Sequence, residues 1–394
     1  MGNKHLLIAR RLLVCSACLC EASAPFGAAP HALGPPPGPR TVWQLDGEGR
    51  GRPAVRGRTA YFLSRRHELK AVRATTGRLL WSRVTGGDGE TTAGSRVIAT
   101  DTRVIAGDDG IVAFDLDGRL AWRFESETAR AAGTYLGDAA GPLVYAGSAS
   151  GRLVALDLDT GRERWSAQVG QATEDDTTVF TPVADESTVV AGFTTFTSPT
   201  AGGIVSWDSR SGRERWRLVL PRVGVGAGLS GGPLLTARIV AAVNRDGSIL
   251  VVDRATGRLV HTLPVVGQAA MPGLPVATQD FRAIAVAARG QTLIAGSLTG
   301  VIVAYDIDTG RERWRRQPIA ASVGFGITVE GDTIYAPYLS GSLVALAVND
   351  GHERWRTSPE HGFSWPPYAE GGAVYAAGSR TGFFLFVRER EGGS

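Results

Sequence analysis

Closely spaced carboxylates at Asp115/Asp117, Asp157/Asp159 and Asp306/Asp308 are the first residues in this 394-residue chain whose spacing could do chemistry. Such a pair can open a calcium loop, which then needs further oxygen ligands and a bidentate acid downstream. Each pair here instead runs straight into a glycine and an arginine, as in Asp157-Leu-Asp159-Thr-Gly161-Arg162. That order spells a turn, because an Asp side chain bonds its own backbone and glycine tolerates positive φ. The six histidines are scattered, without the His-x-His or His-x-x-x-His spacing of a catalytic zinc site. His67, His352 and His361 read as surface residues. No Gly-x-Ser-x-Gly elbow or phosphate loop is present. All three cysteines, Cys15, Cys18 and Cys20, lie in the first 20 residues, which leaves the rest of the chain without a disulfide framework.

The turns belong to a repeated unit. Gly151 to Trp165 reads as a strand, a tight turn and a second strand opening on tryptophan, with apolar residues on both faces of the first strand. Gly300 to Trp314 repeats it nearly letter for letter, and Gly203 to Trp216 and Gly341 to Trp355 keep its frame. Weaker copies run from Leu69 to Trp81, from Gly110 to Trp122, and from Gly247 to His261, where histidine takes the tryptophan position. An eighth strand, Gly382 to Val387, has no tryptophan after it, and Thr41 to Leu45 carries an orphan Trp43 with no repeat before it. The tryptophan-type positions are 43, 81, 122, 165, 216, 261, 314 and 355. Their spacing of about 45 residues is that of a four-stranded propeller blade. The expected fold is all-β, an eight-bladed β-propeller of four-stranded antiparallel blades, closed by the N-terminal strand.

The motif Ala155-x-Asp157-x-x-Thr160-Gly161-x-x-x-Trp165, copied at Ala304 to Trp314, resembles the tryptophan-docking motif of the pyrroloquinoline-quinone (PQQ)-type eight-bladed propellers. The resemblance covers residues 41–388. It implies that Trp43, Trp81, Trp122, Trp165, Trp216, Trp314 and Trp355 pack between neighbouring blades, a structural role. The family holds both quinoprotein dehydrogenases and non-enzymatic, BamB-like envelope propellers. The dehydrogenases carry adjacent cysteines over the cofactor, calcium ligands and a catalytic aspartate. No Cys-Cys pair exists in this chain. The resemblance therefore implies a non-enzymatic scaffold that binds an envelope or membrane protein, with no catalytic residues, cofactor or metal. The alternatives are a PQQ- and calcium-dependent dehydrogenase-like enzyme and the ligand-sensing ectodomain of a signalling system.

Residues 1–24 read as an export signal: Lys4, Arg10 and Arg11 precede the short apolar run Leu12 to Cys20. Cleavage after Ala24 and lipidation of Cys18, which follows Ser16-Ala17, are two readings of the same segment. Residues 25–40, rich in Pro, Gly and Ala, form a tether, and 389–394 a short tail. The expected location is the periplasm or cell envelope, with membrane association only through a lipid anchor on a monomeric propeller. The net charge is +4, and arginine supplies nearly all the positive charge, since Lys4 and Lys70 are the only lysines. Arginines recur at equivalent turn positions around the ring, unlike the one-sided basic patch interleaved with aromatics that nucleic acid needs.

Long segments at 170–180, 193–202, 221–232 and 265–280, with His361 to Tyr368 further round, fall on the face opposite the tight turns. Loops on a rigid scaffold are where binding is usually built. The candidate partner-binding residues are Glu174, Asp175, Asp176, Phe180, Phe193, Phe196, Met271, Trp365 and Tyr368.

Overall fold

Short strands of two to nine residues, broken by Gly and Asp turns, make up almost everything in the computed structural model. It describes residues 38–86, 96–108, 110–124, 134–169, 177–195, 200–221, 229, 231–244, 247–264, 283–297, 299–316 and 323–387. One helical turn, Pro359–His361, stands among these strands. The described residues all belong to the unit that begins at Pro36.

The strands form eight antiparallel arrays, four-stranded except the fourth, whose inner strand is in two pieces, and seven of them run in chain order. The first two arrays touch through a single parallel bridge between Arg52 and Arg96. Innermost strands of consecutive blades are neighbours all the way round, from Gly49–Arg56 through Arg96–Ala99, Thr134–Ala140 and onward to Tyr368–Glu370, which returns to the first. The eighth blade is composite. Tyr368–Glu370, Ala373–Gly378 and Gly382–Val387 come from the end of the ring, and Arg40–Leu45 adds the outer strand, with Arg40 opposite Val387 and Leu45 opposite Phe383. Sheet pairing closes the ring, as the orphan Trp43 strand predicts.

Blade four departs from expectation in its inner strand. The sequence suggests one strand over Thr181 to Val183. Two short pieces, Thr177–Val179 and Val183–Ala184, instead pair with Thr188–Thr195. Pro182, between them, has no N–H for the ladder, so the pairing breaks there.

The tryptophans sit where the blades meet, and the reason is local. Six lie opposite a small residue of the preceding strand (Ala71 for Trp81, Ala113 for Trp122, Ala155 for Trp165, Ser206 for Trp216, Ala304 for Trp314, Ala345 for Trp355), while Trp43 lies opposite Leu385. A register irregularity follows the small residue in all six, and it makes room for an indole. The indole reaches the turn of the next blade. Trp43, Trp81, Trp122, Trp165, Trp216 and Trp314 donate their Nε1–H to Ala74, Leu116, Leu158, Ser209, Arg254 and Val348 carbonyls at 2.8–3.0 Å. Under each ring lies the turn glycine. A Cβ on Gly161 or Gly212 would come within 2.6 Å of Trp122 or Trp165, and both glycines have φ near +68° (67° and 69°). No side chain fits there. His261, opposite the larger Val251, makes the equivalent contact one residue later, 3.1 Å from the Asp308 carbonyl. Each buried indole removes about 150–250 Å² from water, on the order of 4–6 kcal/mol as an upper bound.

The Asp side chains hold these turns. Asp157 accepts the Thr160 N–H at 2.9 Å and hydroxyl at 2.8 Å, and its second oxygen accepts Arg164 at 2.6 Å. Asp208 with Ser211 and Arg215, and Asp306 with Thr309 and Arg313, repeat the arrangement. These carboxylates cap turns. The Arg164 hydrogen bond, with Thr160, holds Asp157 down to about 2. Arg215 and Arg313, with the turn donors, hold Asp208 and Asp306 well below the usual carboxylate range.

Three outcomes are expected. Trp165→Ala or Trp314→Ala destabilises the ring by ~3–5 kcal/mol, read by chemical denaturation; an unchanged midpoint removes the docking role. Deleting residues 40–45 opens the eighth blade and lowers the melting temperature, and a truncated chain as stable as the parent contradicts closure by pairing. Above the ordinary carboxylate pKa of about 4, Asp157, Asp208 and Asp306 are ionised both folded and unfolded. As pH falls from there toward 2, the unfolded chain binds protons that the native state refuses, so stability is lost across that window. Thermal melts from pH 6 to 2 should show the fall, and the triple Asp→Asn variant should show a flatter one.

Candidate partner-binding face

Connections between second and third strands share one face with the crossovers between blades. On this face the crossovers into the seventh and eighth blades follow one plan. Val323 and Phe363, both fully buried, bridge to Tyr338 and Gly378 and plug the core. Two residues later the chain turns outward, at Phe325 and Trp365. Phe325 is 58% exposed and Trp365 half-buried, and the two rings pack with centroids 4.7 Å apart, tilted at 33°. Backbone fixes the pair: Phe325 N–H donates to the Ser364 carbonyl at 2.8 Å, and Gly324 N–H to that of Pro337 at 2.7 Å. Leu339, directly after the bridge partner Tyr338, is also exposed. Water-facing aromatics held rigid by backbone are the usual centre of a protein-binding surface.

The same face carries a buried charged joint between the first two blades. Asp108, whose side chain is fully buried, pairs with Arg50 and lies 3.0 Å from His67 Nδ1. The Thr85 hydroxyl also donates to Asp108, and Arg123 donates to the Thr85 carbonyl at 2.5 Å. His67 holds a left-handed backbone, φ 58°, at the turn that brings its ring to Asp108. His67 is therefore a joint between blades, where the sequence suggests a surface residue.

The sequence-derived candidates separate. Trp365, half-buried, packs against the exposed Phe325. Phe193 does not: it is 4% exposed, paired with Gly203 inside blade four, with Arg217 over its ring at 5.9 Å. A partner cannot reach it, because strand Thr188–Thr195 runs past the position where a loop is expected. Phe180 is half-buried, sits edge-on to Tyr135 at 6.0 Å and packs on a blade core. Tyr368 opens an innermost strand, and its hydroxyl donates to Glu370 at 2.9 Å. Glu174, Asp175, Asp176, Phe196, Met271 and Cys18 lie outside the described residues. Sequence reading misses Phe325 and Leu339. The two crossovers share an order that sequence reading could have caught, Val323-Gly324-Phe325 and Phe363-Ser364-Trp365: an apolar residue, a small one, then an aromatic. Among the described residues no three His, Cys, Asp or Glu side chains gather as a metal ion requires.

A family profile described as outer membrane protein assembly factor BamB matches residues 31–262, 177–324 and 298–386. No curated protein matches by sequence. Among solved structures the chain is similar to the computationally designed Ika8 protein, with TM-score 0.67 and 15% identity over 88% of this chain and 98% of that one. BamB from Moraxella catarrhalis gives 0.66 and 17%, over 89% and 99%. The quinohemoprotein alcohol dehydrogenase ADHIIG from Pseudomonas putida gives 0.63 and 15%, over 88% and 75%. At these identities the likeness is one of fold.

Asp108→Ala is expected to destabilise the chain by ~3–5 kcal/mol, because it takes the carboxylate from beside buried Arg50. Urea unfolding checks this, and a change under 1 kcal/mol would be the ordinary result for a surface ion pair instead.

Proposed function

The chain belongs to the PQQ-repeat propeller family described as outer membrane protein assembly factor BamB, and from that premise we propose that it is an exported, non-enzymatic scaffold of the cell envelope. It binds another protein through its loop face. The observation that carries this is the Phe325–Trp365 pair, an exposed phenylalanine lying against a half-buried tryptophan on equivalent crossovers of adjacent blades. Packed aromatics on a rigid frame lose little conformational entropy on binding and give up much apolar area, as interface hot spots do. The basic signal-like segment at residues 1–24 supports export, and the family description supports a membrane protein of the outer-membrane assembly apparatus as partner.

A dehydrogenase role has the support of a similar fold alone. Against it, the chain has no adjacent cysteines, and among the described residues no metal-donor set gathers, which supports the scaffold reading.

The test is a mild-detergent pull-down of the tagged protein with its native membranes, read by mass spectrometry. A stoichiometric β-barrel assembly subunit is expected. Phe325→Ser combined with Leu339→Ser, both exposed, should lose it while the melting temperature stays within about 2 °C, as surface substitutions do. Retention of the partner by the double variant would move the binding surface elsewhere on the ring. Absence of any partner would turn attention to ligand-sensing or enzymatic roles.

A further inference from the structure

Where the first three blades meet, the inner edge of the ring holds two arginines and one carboxylate. Its origin is in the sequence Gly51-Arg52-Pro53. Gly51 takes φ 71°, Pro53 has no N–H, and pairing of this strand with its neighbour slips between Arg50, opposite Leu63, and Ala54, opposite Tyr61. The bulge delivers Arg52 to the inner edge, where its backbone bridges Arg96 of the second blade. Neighbouring strands stand about 4.8 Å apart, so the two arginines start side by side.

Asp138, at a register slip between Leu136 and Ala139 in the third blade, answers only one of them. One of its oxygens accepts Arg96 at 3.0 Å, and the other accepts the Ala184 N–H of the fourth blade at 3.1 Å. The Arg96 Nε–H is buried and has no acceptor among the described residues. The Arg52 guanidinium makes no hydrogen bond or ion pair among the described residues, though it is only partly exposed. Its guanidinium is pushed down to about 10, first by burial and then by Arg96, against the opposing pull of Asp138 and Tyr368. A half-buried cation beside another cation is costly unless an anion joins it. Every other charged joint described above has its counter-charge built in, whether at Asp108, Asp157, Asp208 or Asp306.

We infer that this inner edge is a binding site for a small oxyanion, a carboxylate or phosphate, gripped by the Arg52 fork and completed by the Arg96 Nε–H. Arginine's planar donors suit two oxygens at once. The site is remote in kind from the aromatic loop face and does not depend on the identity of the protein partner.

The experiment is thermal melting of the full chain with malonate or inorganic phosphate, against chloride at matched ionic strength. An anion well above its Kd should raise the melting temperature by roughly 2–5 °C, and which of the two acts at lower concentration tells carboxylate from phosphate. Arg52→Gln should abolish the rise, yet in chloride melt at or above the wild type, because it removes an uncompensated charge. Arg52→Lys, which keeps the charge but loses the fork, should weaken anion affinity at least tenfold by calorimetry and serves if the glutamine variant fails to fold. Arg258→Gln, at an exposed arginine in the blade-five turn, should respond as wild type does. No rise over chloride, or an equal rise in Arg52→Gln or Arg52→Lys, overturns the assignment.

Discussion

The ring depends on one contact made again and again: an indole laid over a glycine turn of the next blade, with its N–H on a turn carbonyl. The contact fixes more than packing. A glycine at positive φ lies beneath the ring, and most copies add a small residue across the ladder from the tryptophan, a bulge beside it and an aspartate to hold the turn. Each feature is local, and together they set the angle at which one sheet meets the next. The sixth position shows how the contact tolerates change. His261 is smaller than tryptophan, the opposing residue is the larger Val251, and the ring nitrogen reaches a carbonyl one residue further along.

That dependence is why so much of the fold is legible in the sequence. The spacing of tryptophans gives the blade period, the Asp-Gly turns give strand ends, and an unmatched Trp43 gives the closing strand. The registers Ala155↔Trp165 and Arg40↔Val387 agree with that reading. The site was less legible. Phe193 looks like a loop residue because blade four is long there, but the extra length extends the strands and buries the ring. Phe325 looks like any phenylalanine. Its exposure comes from a backbone bridge at Val323 that turns the chain two residues later, and hydrophobicity carries no trace of that. Arg52 is hidden for a related reason: the bulge that moves it is made by its neighbours, Gly51 and Pro53.

Rigid repetition leaves functional differences to the places where the repeat is broken. The aromatic pair on the crossovers, the buried Asp108 joint and the bulged Arg52 all occur where one blade departs from the others. A scaffold stabilised by many equivalent contacts can carry such local departures, including a cation that lowers stability.

Closure by the strand Arg40–Leu45 has a consequence for the order of events in folding. Its partner residues lie near 387, so the contact spans almost the whole described length of the chain. Seven blades are hairpin-connected and can form as they are synthesised, whereas the eighth must wait for its last strand while the first waits unpaired. Such a pairing is the slowest kind, since the entropy of a very long loop is lost before any contact repays it. Until then the early strand presents a bare hydrogen-bonding edge, able to accept a strand from another molecule. A ring built this way is vulnerable to swapping between chains during synthesis and protected from it afterwards.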